Sequence, residues 1–220
     1  MSTGVKPQRE QVIAYIDGFN LYFGLMERGW RHYLWLDLEA MVKRLLRADQ
    51  ELVGVKYFTT RVNHPPESVK RQGIYLDAIK AHGGVEIIYG KFMYPKKECD
   101  DCGKVRPRRT EKQTDVNIAL HMVRDAYGEF CDVGLLISGD SDLVPAVREV
   151  EKACPGRSVL VVWPPARKSD ELCSAASRYF ALGRKHVSES QLPSIVSGQD
   201  GYALCQPVEW WKDPNSPDTN

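Results

Sequence analysis

Two patterns of hydrophobic and polar positions alternate along the chain: short apolar runs, and longer stretches with apolar residues at helical spacing. A short apolar run bounded by polar or turn residues predicts a β-strand. Such runs predict strands at residues 12–16, 52–62, 85–94, 133–138 and 158–163. The last two runs are nearly continuous, which is typical of strands buried on both faces of a parallel sheet.

Apolar positions three or four residues apart predict helices at residues 66–84, 113–127, 142–156 and 169–182. In the second of these helices Thr114 is the expected N-cap. The buried face of that helix is predicted to consist of Val116, Ala119, Leu120 and Val123. Because strands that alternate with helices imply parallel β-α-β units, the sequence predicts an α/β sandwich with a mainly parallel sheet.

One domain is expected to account for most of the 220 residues. It is predicted to span residues 11–185 and to include a Cys- and Arg-rich insertion at 91–112. Residues 186–211 are expected to form a β-hairpin extension packed on this domain. The polar residues 212–220 are expected to form a disordered tail.

Composition narrows the choice of protein class only a little. The hydrophobic content of 43% and the charged content of 27% are ordinary for a globular protein. The sequence contains no apolar stretch of about 18 residues and no apolar signal-peptide core, so we expect no membrane partner and a cytoplasmic location. A net charge of +1 does not by itself indicate a nucleic-acid partner.

The aromatic residues of the first and last segments are interpreted as core side chains. Phe19, Tyr22 and Phe23 follow the first predicted strand and are expected to pack the next helix against the sheet. Trp210 and Trp211 are expected to seal the C-terminal hairpin onto the core.

Aspartates stand where predicted strands give way to helices. Asp17 follows the first strand in IDGFN, Asp115 opens the helix in KQTDVN, and Asp140 and Asp142 follow the strand at 133–138 in SGDSD. Side chains at the carboxyl ends of parallel strands meet at one edge of a sheet. An aspartate at any single such position is an ordinary N-cap, so the prediction of a shared site depends on the strand ends acting together.

Ionised carboxylates that gather in one place repel each other unless a divalent cation joins them. Oxygen ligands without histidine or cysteine favour Mg²⁺ or Mn²⁺. Such a centre suits phosphodiester hydrolysis, because a metal ion lowers the pKa of bound water and neutralises charge on the phosphate. The sequence contains neither a P-loop nor a Gly-x-Gly-x-x-Gly motif, so the predictions of a nucleotide hydrolase or a dinucleotide enzyme lack support.

The segments AYIDGFNLYFGL, EKQTDVNIALHMV and LLISGDSDLVPAVREV, followed by GRSVLVVWPP, resemble the NYN domain, in the LabA-like branch of the PIN-like nuclease superfamily. The tail LPSIV…QPVEW resembles the end of bacterial LabA-like proteins, so the resemblance spans about residues 11–211. It implies a PIN-like three-layer α/β/α sandwich with a central, mainly parallel sheet. It also implies metal-dependent ribonuclease activity for at least some members.

Matching the motifs carries the family's site onto this chain. The primary metal-binding acids would be Asp17, Asp115 and Asp140. Asp142 would be a supporting ligand and a catalytic residue with them. Asn20 would orient the substrate phosphate or a water molecule on the metal, and Ser138 would line the site.

Basic residues lie close to these acids in the sequence. Arg108, Arg109 and Lys112 precede Asp115, and Arg61 stands at the end of the second predicted strand. Their position favours contacts with the phosphates of single-stranded RNA, which is bound in basic grooves with aromatic side chains. A solvated surface loop is the alternative for such a charge run.

Cys99 and Cys102 have the spacing of half a zinc ribbon. Zinc normally takes four ligands, and no second Cys-x-x-Cys occurs, which favours a pair without zinc. The alternatives are a decayed or redox-sensitive knuckle, or a zinc site completed by the second subunit of a homodimer. The remaining cysteines are expected to be free thiols.

These features lead to the prediction of a Mg²⁺- or Mn²⁺-dependent endoribonuclease that cleaves single-stranded RNA with a metal-activated water. DNA stays open as a substrate. The first alternative is a non-catalytic module that binds RNA or a protein. A phosphatase of the haloacid-dehalogenase type is the second, and DGFN disfavours it, because the acceptor aspartate of those enzymes is usually followed two residues later by another aspartate.

Overall fold

The computed structural model describes residues 9–93, 96–98, 105–107, 110–198 and 200–212. Four residues named above lie outside the described residues: Cys99, Cys102, Arg108 and Arg109. Their predicted roles stay predictions.

The strands and helices follow each other in an alternating order. The strands are β1 (Glu10–Asp17), β2 (Gln50–Thr59), β3 (Glu86–Tyr89), β4 (Lys91–Met93), β5 (Lys96–Glu98), β6 (Val105–Pro107), β7 (Thr110–Lys112), β8 (Val133–Ile137), β9 (Ser158–Trp163), β10 (Arg178–Ala181), β11 (Ile195–Ser197) and β12 (Ala203–Cys205). The helices are α1 (Gly18–Glu27), α2 (Leu38–Lys43), α3 (Pro66–His82), α4 (Thr114–Tyr127), α5 (Val144–Ala153), α6 (Asp170–Ala175) and α7 (Arg184–Ser188).

A parallel sheet forms the centre of the molecule. In the described part of the chain it has six strands in the order β10-β9-β8-β1-β2-β3, and each neighbouring pair is parallel. Successive side chains of a strand point to opposite faces, so Ala14 and Ile16 join one core while Ile13 and Tyr15 join the other. The first core includes residues of α1, α2, α3 and α7, and the second includes residues of α4, α5 and α6. The molecule is therefore the three-layer α/β/α sandwich that the sequence predicted.

The prediction of one strand over 85–94 is wrong. The chain forms β3 in the main sheet and then leaves the sheet at Gly90, after which β4 pairs antiparallel with β7. A Cβ atom at Gly90 would lie 2.6 Å from Oγ1 of Thr114 and 2.7 Å from Oγ1 of Thr60. The glycine thus permits the close packing at which the chain changes direction.

The prediction of a helix over 169–182 is also wrong in its second half. Helix α6 ends at Ala175, and Arg178–Ala181 forms the edge strand β10, paired with β9. Local periodicity favoured a helix, but parallel hydrogen bonds to the otherwise open edge of β9 outweigh it.

The buried face of helix α4 is only partly the predicted one, because Ala119 and Val123 are partly buried against the second core but Val116 and Leu120 are exposed. Its buried apolar residues are Ile118, Met122 and Ala126, whereas Val116 is 59% exposed and Leu120 is 63% exposed. The predicted N-cap is wrong as well, because Gln113 occupies that position with a φ of 79° and Thr114 is the first helical residue. The buried face is thus rotated from the predicted one, which the apolar spacing alone did not reveal.

The C-terminal segment packs on the first core. β11 and β12 form an antiparallel pair, and α3 contacts both strands. The buried Trp210 ring lies 5.7 Å from the Tyr75 ring and 6.4 Å from the Trp35 ring, whereas Trp211 is exposed. None of the helices within the described ranges has the length and apolar character to cross a membrane.

Candidate metal centre and adjoining pocket

The strand order creates a crevice at one end of the sheet. From the central strand β1 the chain builds outward through β2 and β3 on one side, and later through β8, β9 and β10 on the other. Ligands of open α/β sheets bind outside the carboxyl ends of the strands where the order reverses. This switch point lies between β1 and β8.

Three aspartates meet at the switch point. Asp17 is the last residue of β1, Asp140 follows the end of β8, and Asp115 lies in the first turn of α4. One carboxylate oxygen from each of them lies within 4.8 Å of the other two. Asp17 is buried, and the other two are partly buried.

This donor set fits a hard divalent cation. Oxygens about 2.1 Å from one Mg²⁺ ion are roughly 3–4.2 Å apart in octahedral geometry, so the separation of up to 4.8 Å here is close to that of the ligands of a bound ion. The ligand group contains oxygen donors only, which suits Mg²⁺ or Mn²⁺ better than zinc. The structure thus brings together three of the acids that the sequence assigned to metal binding.

Hydrogen bonds hold two of these acids in place. Ser138 Oγ donates to Asp17 Oδ2 at 2.9 Å and accepts from the backbone N of Asp140 at 3.1 Å. The backbone N of Asn20 donates to Asp17 Oδ1 at 3.0 Å, and Asn20 Oδ1 accepts from the backbone N of Gly139 at 2.9 Å. Ser138 and Asn20 therefore tie the end of β1 to the loop after β8.

Helix α4 positions the third acid. Its N-terminus carries partial positive charge, which favours a carboxylate in the first turn. Thr114 is buried beside Thr60, with 3.4 Å between their hydroxyl oxygens, and both pack closely on Gly90. These contacts hold the start of α4, and with it Asp115, against the ends of β2 and β3.

A family model described as the NYN domain matches residues 11–183. The chain belongs to the NYN domain family. The NYN domain has a nuclease-like fold, and the three acids lie in that domain. Membership of the LabA-like branch stays a prediction.

Two individual proteins are also similar to this NYN protein. The 6-hydroxy-3-succinoylpyridine 3-monooxygenase HspA of Pseudomonas putida (strain DSM 28022 / S16) is 26% identical, and the alignment covers 95% of this chain and 77% of that protein. The crystal structure of a protein of unknown function from Vibrio parahaemolyticus RIMD 2210633 has a TM-score of 0.56 at 18% identity. It covers 85% of this chain and 99% of that one, and it supports the fold alone.

Asp142 lies outside the group of three acids in the NYN domain. It is exposed, in the short 3-10 helix Ser141–Leu143, and its backbone N donates to Asp140 Oδ1 at 2.9 Å. Its backbone thus helps to orient Asp140, and the supporting role of its carboxylate stays a prediction.

The structure describes two of the predicted substrate-binding cations, Arg61 and Lys112, and both are exposed. Arg61 follows β2 and stacks on Tyr89, with 5.0 Å between its Cζ atom and the ring centroid. Lys112 ends β7, just before α4. Both belong to elements that lead to the acids, and their contacts with a substrate stay predictions.

Sequence reasoning missed the role of Gly139 in the loop after β8. A Cβ atom there would lie 1.4 Å from the carbonyl oxygen of Arg167, so only glycine allows this approach. The glycine in SGDSD was visible in the sequence, but the loop it packs against is remote along the chain.

Sequence reasoning also missed an aromatic-lined cavity of about 490 Å³ beside the acids, named here the aromatic pocket. Its wall includes Gly18 and Phe19, the two residues that follow Asp17. The other aromatic residues of its wall are Tyr22, Phe23, Tyr57, Tyr75, Phe92 and Trp210. Phe19, Tyr22 and Phe23 thus line a cavity, whereas the sequence assigned them only to packing, and Phe23 is exposed.

Tyr57 connects this pocket with the acids. A Cβ atom on Gly18 would lie 2.8 Å from the Tyr57 hydroxyl oxygen, so the phenol rests against the residue after Asp17. Burial raises the pKa of Tyr57 above its usual value, and the Asp17 carboxylate raises it further. The phenol is therefore protonated at neutral pH and presents a hydroxyl group between the pocket and the acids.

Proposed function

We propose that this NYN protein is a Mg²⁺- or Mn²⁺-dependent endoribonuclease that hydrolyses phosphodiester bonds of single-stranded RNA. The observation that carries the proposal is the meeting of three carboxylates within 4.8 Å at the switch point of a nuclease-like domain. A divalent ion held by such an oxygen cluster would neutralise the charge that develops on phosphate oxygens during phosphodiester hydrolysis. We expect the protein to act in the cytoplasm.

Asp17, Asp115 and Asp140 would hold the ion. When bound, a divalent ion lowers the pKa of water and neutralises charge on the phosphate. Ser138 and Asn20 act through their hydrogen bonds: they keep the carboxylate oxygens of Asp17 and the backbone before Asp140 in one arrangement. Arg61 and Lys112 supply exposed positive charge for the sugar-phosphate backbone of the RNA.

The test is cleavage of single-stranded RNA by the purified protein with Mn²⁺ or Mg²⁺. Wild type should cleave the RNA, EDTA should abolish cleavage, and Asp140→Asn should lose most activity while keeping its melting temperature without metal. Asp142→Asn is the matched control two residues away, and it should lose less activity because Asp142 lies outside the group of three acids. Equal cleavage by wild type and Asp140→Asn, or cleavage that survives EDTA, would remove the proposal.

The same assay separates an enzyme from a binding module. A non-catalytic module would bind Mn²⁺ and RNA with similar affinity but leave a panel of RNAs and single-stranded DNAs intact. Gel shifts run beside the cleavage assay measure this difference, and binding without turnover would favour the regulatory alternative.

Oxygenation of a small aromatic compound is a second candidate function. Two observations favour it: the similarity to a protein named a monooxygenase extends over 95% of the chain, and an aromatic pocket adjoins the acids. A monooxygenase transfers one oxygen atom of O₂ to its substrate, and two electrons from a donor reduce the other atom to water. Consumption of O₂ and of a two-electron donor in the presence of 6-hydroxy-3-succinoylpyridine would support this function, and no consumption with any donor tested would exclude it for that substrate.

A further inference from the structure

We propose that the aromatic pocket binds the base of the nucleotide beside the phosphate that is cleaved. This inference rests on the proposed ribonuclease function and adds a specificity element to it. Three properties of the pocket carry it: its position, its wall, and the state of its polar groups.

The pocket adjoins the cluster of acids. Gly18 and Phe19 belong to the pocket wall and follow Asp17 directly. Thr59 also belongs to the wall and precedes Thr60, which contacts the residue before Asp115. A phosphate held at the acids therefore has the pocket beside it, and a base attached to the adjoining sugar has a cavity to enter.

The wall of the pocket suits a flat aromatic ring. The Phe19 ring lies 5.9 Å from the Phe92 ring in an edge-to-face arrangement, and 6.1 Å from the stacked Phe23 ring. Enzymes and carriers that take a base out of its stack hold it between aromatic and apolar side chains. The volume of about 490 Å³ lies within the range of roughly 300–1,000 Å³ usual for small-molecule sites.

Two polar side chains of the wall, Gln72 and Arg71, are engaged with protein partners. Gln72 donates to the carbonyl of Thr60 at 2.9 Å and accepts from the backbone N of Val62 at 2.7 Å. Arg71 donates to Glu209 Oε1 at 2.9 Å. We expect a base in this pocket to be recognised chiefly by its stacking surface, with the order of preference purine over pyrimidine over an abasic sugar.

The test uses a substitution, at a residue in a loop, that fills the pocket with a large side chain. Val62 lines the pocket, so Val62→Trp places a large ring inside it, whereas Val69→Trp makes the same change at an exposed site on α3 outside the pocket wall. The probes are short single-stranded RNAs that carry one abasic nucleotide, moved through each position. Binding is measured by fluorescence anisotropy with Ca²⁺, which keeps a divalent cation at the acids, and cleavage is measured with Mn²⁺.

We expect one position in the RNA at which the abasic nucleotide weakens binding to wild type by roughly tenfold, which is the loss of affinity typical of one stacked base. Val62→Trp should bind intact RNA about as weakly as wild type binds the abasic RNA, with no further loss on the abasic RNA. Val69→Trp should behave like wild type. Binding that is the same at every abasic position, or that Val62→Trp leaves unchanged, would overturn the proposal.

Two further outcomes distinguish a failure of the base-pocket proposal from a failure of the proposed ribonuclease function. Cleavage by wild type with no abasic effect leaves the ribonuclease function standing and removes the base pocket. No cleavage of any RNA removes the ribonuclease function, and the binding arm then decides the pocket. A free aromatic acid such as benzoate is the last probe: if it binds in a manner that Val62→Trp blocks while RNA does not, the pocket belongs to small molecules and the base assignment is wrong.

Discussion

Lys56 and Asp125 form an ion pair beneath the sheet, within the second core. Asp125 is 1% exposed and Lys56 is 8% exposed. Tyr15 donates to Asp125 Oδ2 at 2.9 Å, and Arg124 donates to Asp125 Oδ1 at 2.8 Å. Burial alone would raise the pKa of Asp125, but the hydrogen bonds from Lys56, Arg124 and Tyr15 outweigh it, and the pKa is lowered.

Asp125→Ala is expected to lower the free energy of unfolding by about 3–5 kcal/mol at pH 7, because it leaves the charge of Lys56 buried without its partner. Urea unfolding measures the loss. Since the folded-state pKa of Asp125 is lowered, its contribution is fully present above the unfolded pKa of about 4 and is lost as the pH falls below it. The difference between wild type and variant should therefore shrink in acid.

The control for this prediction is Asp77→Ala. Asp77 is exposed on α3, and such surface changes usually shift stability by about 0.5 kcal/mol or less. If Asp125→Ala costs no more than Asp77→Ala, the ion pair does not stabilise the core.

Gly139→Ala tests how strictly the loop after β8 is positioned. The added methyl group meets the backbone carbonyl of Arg167, which cannot yield as a flexible side chain would. The loop must shift, and Asp140 shifts with it. Calorimetric titration should show Mn²⁺ affinity reduced by roughly 10–100-fold, as for lost supporting contacts around a metal.

Gly73→Ala is the matched control for that change. A Cβ atom at Gly73 meets nothing within 4 Å, and the residue lies inside α3, so alanine should stabilise the helix by about 0.5–1 kcal/mol. Unchanged Mn²⁺ affinity in Gly139→Ala would show that the loop tolerates displacement.

Among the elements, helix α4 offers the sharpest contrast between pattern and packing. The apolar spacing favoured Leu120 as a core residue, yet Met122 is buried and Leu120 is exposed. Leu120→Lys should change the free energy of unfolding by about 0.5 kcal/mol or less, whereas Met122→Ala should cost about 2–5 kcal/mol. Urea unfolding of both variants measures these changes. A larger loss of unfolding free energy for Leu120→Lys than for Met122→Ala would contradict the observed rotation of α4.

The elements also show what the sequence revealed and why. The buried strands β1, β8 and β9 were predictable, because continuous apolar runs have few other uses. Strand β10 was not, because Arg178–Ala181 becomes a strand only through pairing with β9. Asp17 and Asp140 were predictable as neighbours, since strand ends of a parallel sheet share an edge, whereas Asp115 at the start of α4 was assigned to them by its motif. The aromatic pocket was not, because its wall joins residues as distant as Phe19, Phe92 and Trp210.

For the protein as a whole, the cluster of acids couples metal binding to stability. Like charges at the switch point destabilise the folded chain without an ion, and an ion that binds only the folded state stabilises it. Mn²⁺ at 100 times its dissociation constant should add about 2.7 kcal/mol to the free energy of unfolding. Thermal unfolding with Mn²⁺ and with EDTA measures the shift.

Asp115→Asn completes that prediction. It removes one of the repelling charges but also a carboxylate that the N-terminus of α4 favours, so in EDTA its stability should differ little from wild type, and it should lose most of the Mn²⁺ effect. An equal Mn²⁺ shift in wild type and Asp115→Asn would place the stabilising ion elsewhere on the molecule.

The most direct measurement is anomalous diffraction from crystals grown with Mn²⁺. We expect one strong anomalous peak within about 2.0–2.3 Å of carboxylate oxygens of Asp17, Asp115 and Asp140 together. Strong peaks only at other sites, or carboxylates bridged by water without a metal at millimolar Mn²⁺, would contradict it.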